Sequence, residues 1–203
     1  KKVSYDQFYN EHIYIFSAMA VKKIILNYNL ELFDIEKLST HGGSLRYYIK
    51  KINNKNISIK NSVSKQINDE IKFGLNKYST YKKFGENVKK SKNDLIKIFK
   101  TIKNKNYKII GYGATAKATT VLNYCKIDNK VIDYFVDTTP DKANKYMPGT
   151  KIKIFKYNEK LINKANYIFL GAWNFKDEIF KKEISFIKKG GKFITHVPKP
   201  KII

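Results

Sequence analysis

The sequence predicts an α/β fold whose C-terminal half forms a parallel sheet. From Tyr107 onward, short apolar runs typical of buried strands alternate with helical segments. A glycine-rich turn, Gly111-Tyr-Gly-Ala-Thr-Ala116, separates the first run from the first helical segment. Gly190 and Gly191 follow the last helical segment, at a position where glycine commonly ends a helix. Strands that alternate with helices favour a parallel sheet joined by right-handed crossovers.

The first region, residues 1–52, combines a helical segment with two strand-like segments. Apolar residues recur at helical spacing from Ile13 to Leu26, which predicts an amphipathic helix. Strands are predicted at Leu30–Ile35 and Leu45–Ile49, with a polar, glycine-containing turn between them. One helix and two strands do not make a stable sheet alone, so we expect this region to complete a sheet supplied from elsewhere.

The second region, residues 53–105, is rich in lysine and carries apolar residues in steps of three and four. This spacing places the apolar residues on one stripe of a helix and the lysines on a solvated face. We therefore expect a helical connector, either a pair of helices or one long interrupted helix.

The third region, residues 106–203, is predicted to hold the parallel sheet. Val131–Asp137 and Tyr167–Gly171 are the most apolar runs and indicate buried strands. The complete prediction places strands at 108–111, 131–137, 151–155, 167–171 and 192–197, and helices at 115–125 and 175–189.

The glycine turn fits the pattern G-x-G-x-x-[G/A] between a strand and a helix. In a Rossmann-like unit, Gly111 would allow a tight turn, and Gly113 would let a phosphate approach the backbone at Ala114. Ala116 would let the helix pack close to the strand, and the helix N-terminus would offer N–H groups to an anion. The pattern is compatible with NAD binding, with another nucleotide ligand, or with a turn that only closes the fold.

Asp137 follows Gly113 by 24 residues, at the end of the next predicted strand. A carboxylate there could accept hydrogen bonds from ribose hydroxyls. It could equally cap its own loop through Thr138 and Thr139, and both interpretations stay open.

The N-terminal segment Asp6-Gln-Phe-Tyr-Asn-Glu-His12 places four functional side chains within seven residues. A histidine can take up a proton near neutral pH, and a nearby phenol or carboxylate can orient it. His12, Tyr9 and Glu11 are therefore candidate catalytic residues. The alternative is an acidic helix-capping segment with a solvent-facing histidine. His41 and His196 give weaker indications, because His41 adjoins a glycine turn and His196 lies in a predicted strand.

The formal net charge is +24, yet Arg46 is the only arginine. The lysines are also spread along the whole chain, whereas nucleic-acid readout favours arginine and a clustered basic surface. We therefore expect no nucleic-acid partner, and the absence of a long apolar run predicts no membrane-spanning helix. Cys125 is the only cysteine, which excludes an internal disulfide and a multi-cysteine zinc site within this chain. A reduced, cytoplasmic location is expected.

Several motifs occur in a specific order along the chain, and their series resembles the sugar C-methyltransferases. Members of that family use S-adenosylmethionine to methylate nucleotide-linked keto-deoxysugars, and the resemblance is to their C-terminal part. The motifs are Tyr5-Asp-Gln-Phe-Tyr-Asn-Glu-His12, His41-Gly-Gly-Ser-Leu-Arg46, Gly111-Tyr-Gly-Ala-Thr-Ala-Lys117, Leu122-Asn-Tyr-Cys125, Asp133-Tyr-Phe-Val-Asp137, Pro140-Asp-Lys142, Pro148-Gly-Thr150 and Ala172-Trp-Asn174.

The resemblance implies a protein of three parts: a zinc-binding module, a methyltransferase core and a Rossmann-like C-terminal domain. Residues 1–52 would then be the end of the core, 53–105 the connector and 106–203 the substrate domain. The zinc ligands and most of the S-adenosylmethionine site would lie in parts that precede this chain. We therefore expect the chain to be inactive on its own.

The resemblance also implies roles for the candidate residues. His12 matches the family's catalytic base, with Tyr9 and Glu11 at the flanking motif positions. The glycine turn would contact a nucleotide sugar, and the implied substrate-binding residues are Ser44, Arg46, Gly111, Gly113, Ala114, Lys117, Asp137 and Trp173.

Three of these assignments have alternatives. Lys117 could be a surface lysine, Trp173 could simply pack in the core, and Arg46 could pair with Glu11 or Asp34. An NAD-binding domain of an oxidoreductase is the alternative function. No metal site is expected within this chain. The sequence gives no indication of whether the protein is a monomer or an oligomer.

Overall fold

A computed structural model describes residues 2–203, and these residues form two compact units. One unit, here called the hairpin unit, comprises Tyr14–Phe84. The other, here called the Rossmann-like unit, combines the N-terminal segment through Ile13 with Gly85–Ile203. The candidate base segment therefore belongs to the same unit as the glycine turn.

The hairpin unit is built from two helices and an antiparallel pair of strands. Its elements are α1 (Ala18–Leu26), β1 (Leu30–Leu38), β2 (Ser44–Lys51) and α2 (Asn61–Phe73). Strands β1 and β2 pair with each other along their whole length, from Leu30 opposite Lys51 to Leu38 opposite Ser44. Leu32, Ile35 and Val63 are buried between the hairpin and the helices. Helix α3 (Tyr78–Lys103) begins in this unit and continues into the next one.

The Rossmann-like unit contains a six-stranded sheet in the order β5-β4-β3-β6-β7-β8. All neighbouring strands run parallel except β8, which is antiparallel to β7. This confirms the predicted α/β fold with a Rossmann-like parallel sheet. The elements are β3 (Ile109–Tyr112), α4 (Ala116–Cys125), β4 (Phe135–Asp137), β5 (Ile154–Lys156), α5 (Glu159–Ile162), β6 (Tyr167–Leu170), α6 (Lys176–Lys182), α7 (Ile184–Lys188), β7 (Lys192–Thr195) and β8 (Lys201–Ile202).

The strand order reverses between β3 and β6, so the loops that follow these two strands diverge from one point. In open α/β sheets, ligands bind outside the carboxyl ends of the strands at such a point. The loop after β3 is the glycine turn, and the loop after β6 leads to Trp173. The fold therefore places both sequence motifs at the position where a ligand is expected.

Several element boundaries differ from the sequence prediction. The first helix begins at Ala18 rather than Ile13, and the strand predicted at Val131–Asp137 is limited to β4. The amides of Val131 and Ile132 donate to the carbonyl of Asp128, so the start of this apolar run forms a turn. The strand predicted at 151–155 lies at β5, and the terminal strand β8 was not predicted.

The helix predicted at 175–189 is divided into α6 and α7 at Glu183. This side chain is 3 % exposed, and its carboxylate accepts a hydrogen bond from the Tyr112 hydroxyl at 3.1 Å. At the break between α6 and α7, the buried Glu183 side chain therefore contacts Tyr112 on β3. Across residues 2–203, no helix combines the length and the apolar character needed to cross a bilayer.

Candidate functional site

The N-terminal segment packs on helix α4 of the Rossmann-like unit. Tyr5–Gln7 forms one turn of 3-10 helix in which Tyr5 and Asp6 are buried. The Tyr5 hydroxyl lies 3.7 Å from Cys125 Sγ, at the end of α4. One turn into the helix, the Thr120 hydroxyl donates to the carbonyl of Phe8 at 3.1 Å. These contacts hold the segment that leads to Tyr9 and His12 against α4.

His12 is hydrogen-bonded through both of its ring nitrogens. Nδ1 lies 2.9 Å from the backbone carbonyl of Gln7, and Nε2 lies 2.9 Å from the Tyr9 hydroxyl. A carbonyl oxygen can only accept, so Nδ1 carries the proton. In the neutral imidazole Nε2 is then the basic nitrogen, and it accepts from the Tyr9 hydroxyl. The rings of Tyr9 and His12 also lie close together, with centroids 4.0 Å apart.

Tyr9 remains a phenol under ordinary conditions. Burial raises the pKa of Tyr9, and the carboxylates of Glu11 and Asp6 raise it further. A raised phenol pKa favours the protonated form, so Tyr9 acts as a hydrogen-bond donor to His12. Glu11 is exposed to solvent and influences Tyr9 through its charge. The structure thus brings the three predicted catalytic residues into one local group.

Asp6 is the centre of a buried polar cluster that the sequence analysis did not identify. Its Oδ2 accepts a hydrogen bond from Trp173 Nε1–H at 2.5 Å and lies 3.2 Å from His196 Nε2. Asp6 and His196 are completely buried, and Trp173 is 9 % exposed. Trp173 and His196 follow β6 and β7, so this cluster lies at the carboxyl edge of the sheet. Asp6 lies within the N-terminal motif Tyr5–His12, and this position was the only sequence feature that could have indicated a role for it.

The glycine turn is closely packed against the loop that follows β6. Gly113 has φ +82°, and a side-chain Cβ there would lie 2.6 Å from the Cβ of Ala172. Gly111 lies within β3 and does not form the tight turn that we expected. A Cβ at Gly111 would instead meet the ring of Phe135 at 2.3 Å, so this glycine makes room for a core aromatic residue. Thr115 joins the two loops by donating to the carbonyl of Gly171 at 3.0 Å.

Asp137 binds the glycine turn directly. Its carboxylate accepts from the amide of Ala114 at 2.7 Å and from the amide of Thr139 at 2.8 Å. Lys142 Nζ lies 3.2 Å from the same carboxylate. Burial acts to raise the pKa of Asp137, but the bonds from Thr139 and Lys142 outweigh it and hold the pKa below its usual value. The carboxylate occupies the Ala114 amide, and a phosphate could bind this amide only by displacing it. The phosphate contact at Ala114 stays a prediction.

Lys117 is not one of the surface lysines. It is 5 % exposed, and its Nζ lies 5.3 Å from the centre of the Trp173 ring. Burial lowers the pKa of Lys117, while the charge of Asp6 acts in the opposite direction. Lys117, Trp173 and Asp6 therefore form one group at the N-terminal end of α4.

Ser44 and Arg46 belong to the hairpin unit. The Ser44 hydroxyl donates to the carbonyl of Thr40 at 3.2 Å. Arg46 Nη1 lies 3.0 Å from Glu36 on the neighbouring strand, so its acidic partner is neither Glu11 nor Asp34. Both side chains of this pair are about half exposed, at 56 % and 47 %. An exposed pair of this kind contributes little to stability, and Arg46 remains accessible for a ligand.

The glycine turn at 111–116 does not fit S-adenosylmethionine. The only glycine turn with the expected pattern is filled by Ala172 on one side and by the Asp137 carboxylate on the other. Among residues 2–203, no group of three or more His, Cys, Asp or Glu side chains is arranged to hold a metal ion.

Comparison with known proteins gives two similarities. A family model described as the C-methyltransferase C-terminal domain matches residues 39–198. The chain is also similar to C-methyltransferase NovU from Streptomyces niveus, with 25 % identity over 203 residues. That alignment covers 100 % of this chain and 48 % of the relative, so the chain spans about half the length of the curated relative that it matches.

Proposed function

Because this chain belongs to the family of C-methyltransferase C-terminal domains, we propose that it supplies the catalytic base and a nucleotide-sugar site to a C-methyltransferase. The proposed substrate is a nucleotide-linked keto-deoxysugar, and the proposed methyl donor is S-adenosylmethionine. The observation that carries the proposal is the state of His12, whose Nδ1 is bonded to Gln7 and whose Nε2 is basic.

The proposed reaction begins with proton removal at a carbon next to a ketone. His12 Nε2 takes this proton, and the electron pair of the broken C–H bond forms an enolate. The enolate carbon is then nucleophilic, and the methyl donor supplies the electrophilic methyl group for it. Proton transfer by a positioned base typically contributes about 10²–10⁴ in rate.

Tyr9 and Glu11 support the base in this proposal. Tyr9 lies 2.9 Å from the nitrogen that must accept the proton, so substrate binding has to move this hydroxyl aside. As a protonated phenol it then becomes available to donate a hydrogen bond to the enolate oxygen. Glu11 is exposed at the same segment and can accept from a sugar hydroxyl.

The nucleotide part of the substrate is proposed to bind at the carboxyl edge of β3 and β6. Lys117 offers a cation at the start of α4, Gly113 and Ala114 form the turn that precedes this helix, and Gly111 lies within β3. Within the hairpin unit, Ser44 and Arg46 stay proposed substrate-binding residues, and the planar guanidinium of Arg46 suits a diphosphate. Trp173 and Asp137 are proposed to shape the site, since their polar atoms already bond to the protein.

The whole enzyme is proposed to place zinc and the methyl donor in parts that are absent from this chain. A cytoplasmic location without nucleic-acid or membrane partners is part of the same proposal. It is supported by the lysines, which are dispersed along the chain.

Replacement of His12 tests the proposal in an enzyme that contains both this chain and a methyltransferase core. We expect His12→Gln to lower kcat by about 10²–10⁴ while the sugar nucleotide still binds, because glutamine keeps polarity but cannot take the proton. His41→Gln serves as the matched control and should leave kcat unchanged. A near-normal kcat for His12→Gln would exclude His12 as the base.

Ligand titration separates the methyltransferase proposal from the NAD-binding alternative. We expect a thymidine diphosphate sugar to bind this chain and NADH not to bind, as measured by calorimetry. Tight NADH binding, together with no response to the sugar nucleotide, would favour the oxidoreductase instead. No feature of the site specifically supports that alternative, because the Asp137 carboxylate is already bonded to the glycine turn.

A further inference from the structure

We infer that Asp6, held by the indole N–H of Trp173, is a positioning residue that fixes the orientation and tautomer of His12. The inference rests on the proposed function, in which His12 Nε2 is the base. It adds a second group of residues, remote in sequence, that decides which nitrogen of His12 carries the proton.

The backbone carbonyl of Gln7 selects the tautomer of His12. This carbonyl accepts the Nδ1 proton of His12 at 2.9 Å and thereby leaves Nε2 unprotonated. Gln7 is the last residue of the 3-10 turn that contains Asp6. We therefore expect loss of the Asp6 contacts to loosen the turn that positions this carbonyl.

Asp6 itself is held by contacts in the buried interior of the unit. Its carboxylate is fully buried, and it accepts from the indole N–H of Trp173. His196 Nε2 lies 3.2 Å from the same oxygen, and His196 is also fully buried. The hydrogen bond from Trp173, which follows β6, therefore fixes the turn to the carboxyl edge of the sheet, and His196 packs beside the same carboxylate. On the other side of Gln7, the carbonyl of Phe8 accepts from Thr120.

Burial of the Asp6 carboxylate has a free-energy cost for the folded protein. A buried carboxylate is costly unless it is paired and hydrogen-bonded. Asp6 Oδ1 has no hydrogen-bond partner among residues 2–203, and neither His196 nitrogen meets hydrogen-bond geometry. An apolar residue would fill the position with less desolvation, so stability alone does not account for an acid here. Directional anchoring of the turn that carries Gln7 does account for it.

Nitrogen NMR of the imidazoles tests the inference without any substrate. The chain has three histidines, and His12→Gln assigns the ring signals of His12 because they disappear in that variant. At mildly alkaline pH we expect a single tautomer for His12, with Nδ1 protonated and Nε2 unprotonated. In Asp6→Ala and in Trp173→Phe, both nitrogens should shift towards intermediate values, because the Gln7 carbonyl is no longer fixed.

Tyr134→Phe is the matched control, since it removes one hydrogen bond of the same unit, to the carbonyl of Leu161. This variant should leave the His12 signals unchanged. If Asp6→Ala does not fold, Trp173→Phe decides, because phenylalanine keeps one aromatic ring at this position and lacks the N–H donor. Folded variants with wild-type His12 signals would overturn the inference, and so would a wild-type chain that mixes both tautomers. A near-normal kcat for His12→Gln would contradict the proposed function but would not change the NMR result on the His12 tautomer. Failure of the proposed function and failure of this inference are therefore distinguishable.

Discussion

At the residue scale, two glycines have similar backbone angles but different surroundings. Comparing alanine substitutions at both positions distinguishes the conformational cost of a side chain from the cost of overpacking. Gly113 and Gly190 have φ of +82° and +88°, but only Gly113 has a neighbour where a Cβ would stand. Alanine in a left-handed conformation costs about 1–2 kcal/mol. Overpacking in a filled site costs about 1–3 kcal/mol more.

We therefore predict that Gly113→Ala lowers the free energy of unfolding by about 1–3 kcal/mol more than Gly190→Ala does. The added Cβ would meet Ala172 in the first variant and open space in the second. Urea unfolding of the two variants measures the difference. Equal losses would mean that the turn after β3 adjusts freely, which the contact with Ala172 argues against.

Also at the residue scale, the local part of the candidate site could be predicted and the distant part could not. Tyr9 and His12 are three residues apart, so a short motif brings them together. Asp6 and His196 are separated by 190 positions and meet only because β7 ends beside the N-terminal turn. The sequence left two roles open for Asp137, and the bond to the Thr139 amide agrees with the loop-capping alternative.

At the element scale, the start of helix α1 is determined by a residue on α2. The carboxylate of Glu70 accepts from the amides of Ala18 and Met19 at 2.8 and 3.0 Å. Glu70 is 5 % exposed, and Ser17 caps the same helix by accepting from Ala20. The apolar residues from Ile13 predicted an earlier start, because spacing cannot reveal a cap supplied from another helix.

We predict that Glu70→Ala weakens α1 by about 1.5–3 kcal/mol, the usual contribution of hydrogen bonds to a charged group. Two buried amides would lose their acceptor, whereas Ser17 would still cap Ala20. Hydrogen exchange of the Ala18 and Met19 amides measures the local effect. Asp69→Ala is the control, because Asp69 makes an exposed pair with Lys37 and should leave α1 protection unchanged.

Other element boundaries differ because apolar patterns do not distinguish a buried turn from a buried strand. Ile132 is fully buried, as a strand residue would be, although its amide bonds in a turn to Asp128. The division of the last helix at Glu183 depends on the Tyr112 hydroxyl, which no local pattern could indicate. The order of strands and helices was nevertheless predictable, since each element carries its own periodicity.

At the scale of the whole molecule, the hairpin unit keeps large apolar residues in contact with solvent. Tyr28, Ile49 and Ile52 are exposed by 71, 41 and 44 %. A two-stranded hairpin is marginally stable in water without further strands or packing. The expectation that this region completes a larger sheet stays a prediction, and these exposed side chains are consistent with it.

The N-terminal segment gives a prediction for the Rossmann-like unit as a whole. Tyr5 is 5 % exposed beside Cys125, which is 3 % exposed and is the only cysteine of the chain. Burial raises the pKa of the Cys125 thiol, which reduces the reactive thiolate at neutral pH. Removal of residues 1–13 would uncover this thiol and leave the Trp173 N–H without the Asp6 acceptor. Loss of Tyr5 burial alone costs about 1.5–3 kcal/mol.

We therefore predict that a chain starting at Tyr14 reacts much faster with a thiol reagent than the full chain does, and that it unfolds at lower urea concentration. Cys125→Ser should abolish the signal in both chains, and the urea-unfolded protein gives the upper limit of the rate. The reaction of the full chain should accelerate as pH rises towards the raised thiol pKa, because thiolate is then formed. An unchanged rate after truncation would show that α4 protects Cys125 by itself. In that case the packing of Tyr5 on Cys125 would not attach the segment carrying Tyr9 and His12, and the hydrogen bonds of Asp6 with Trp173 and of Phe8 with Thr120 would hold it to the unit.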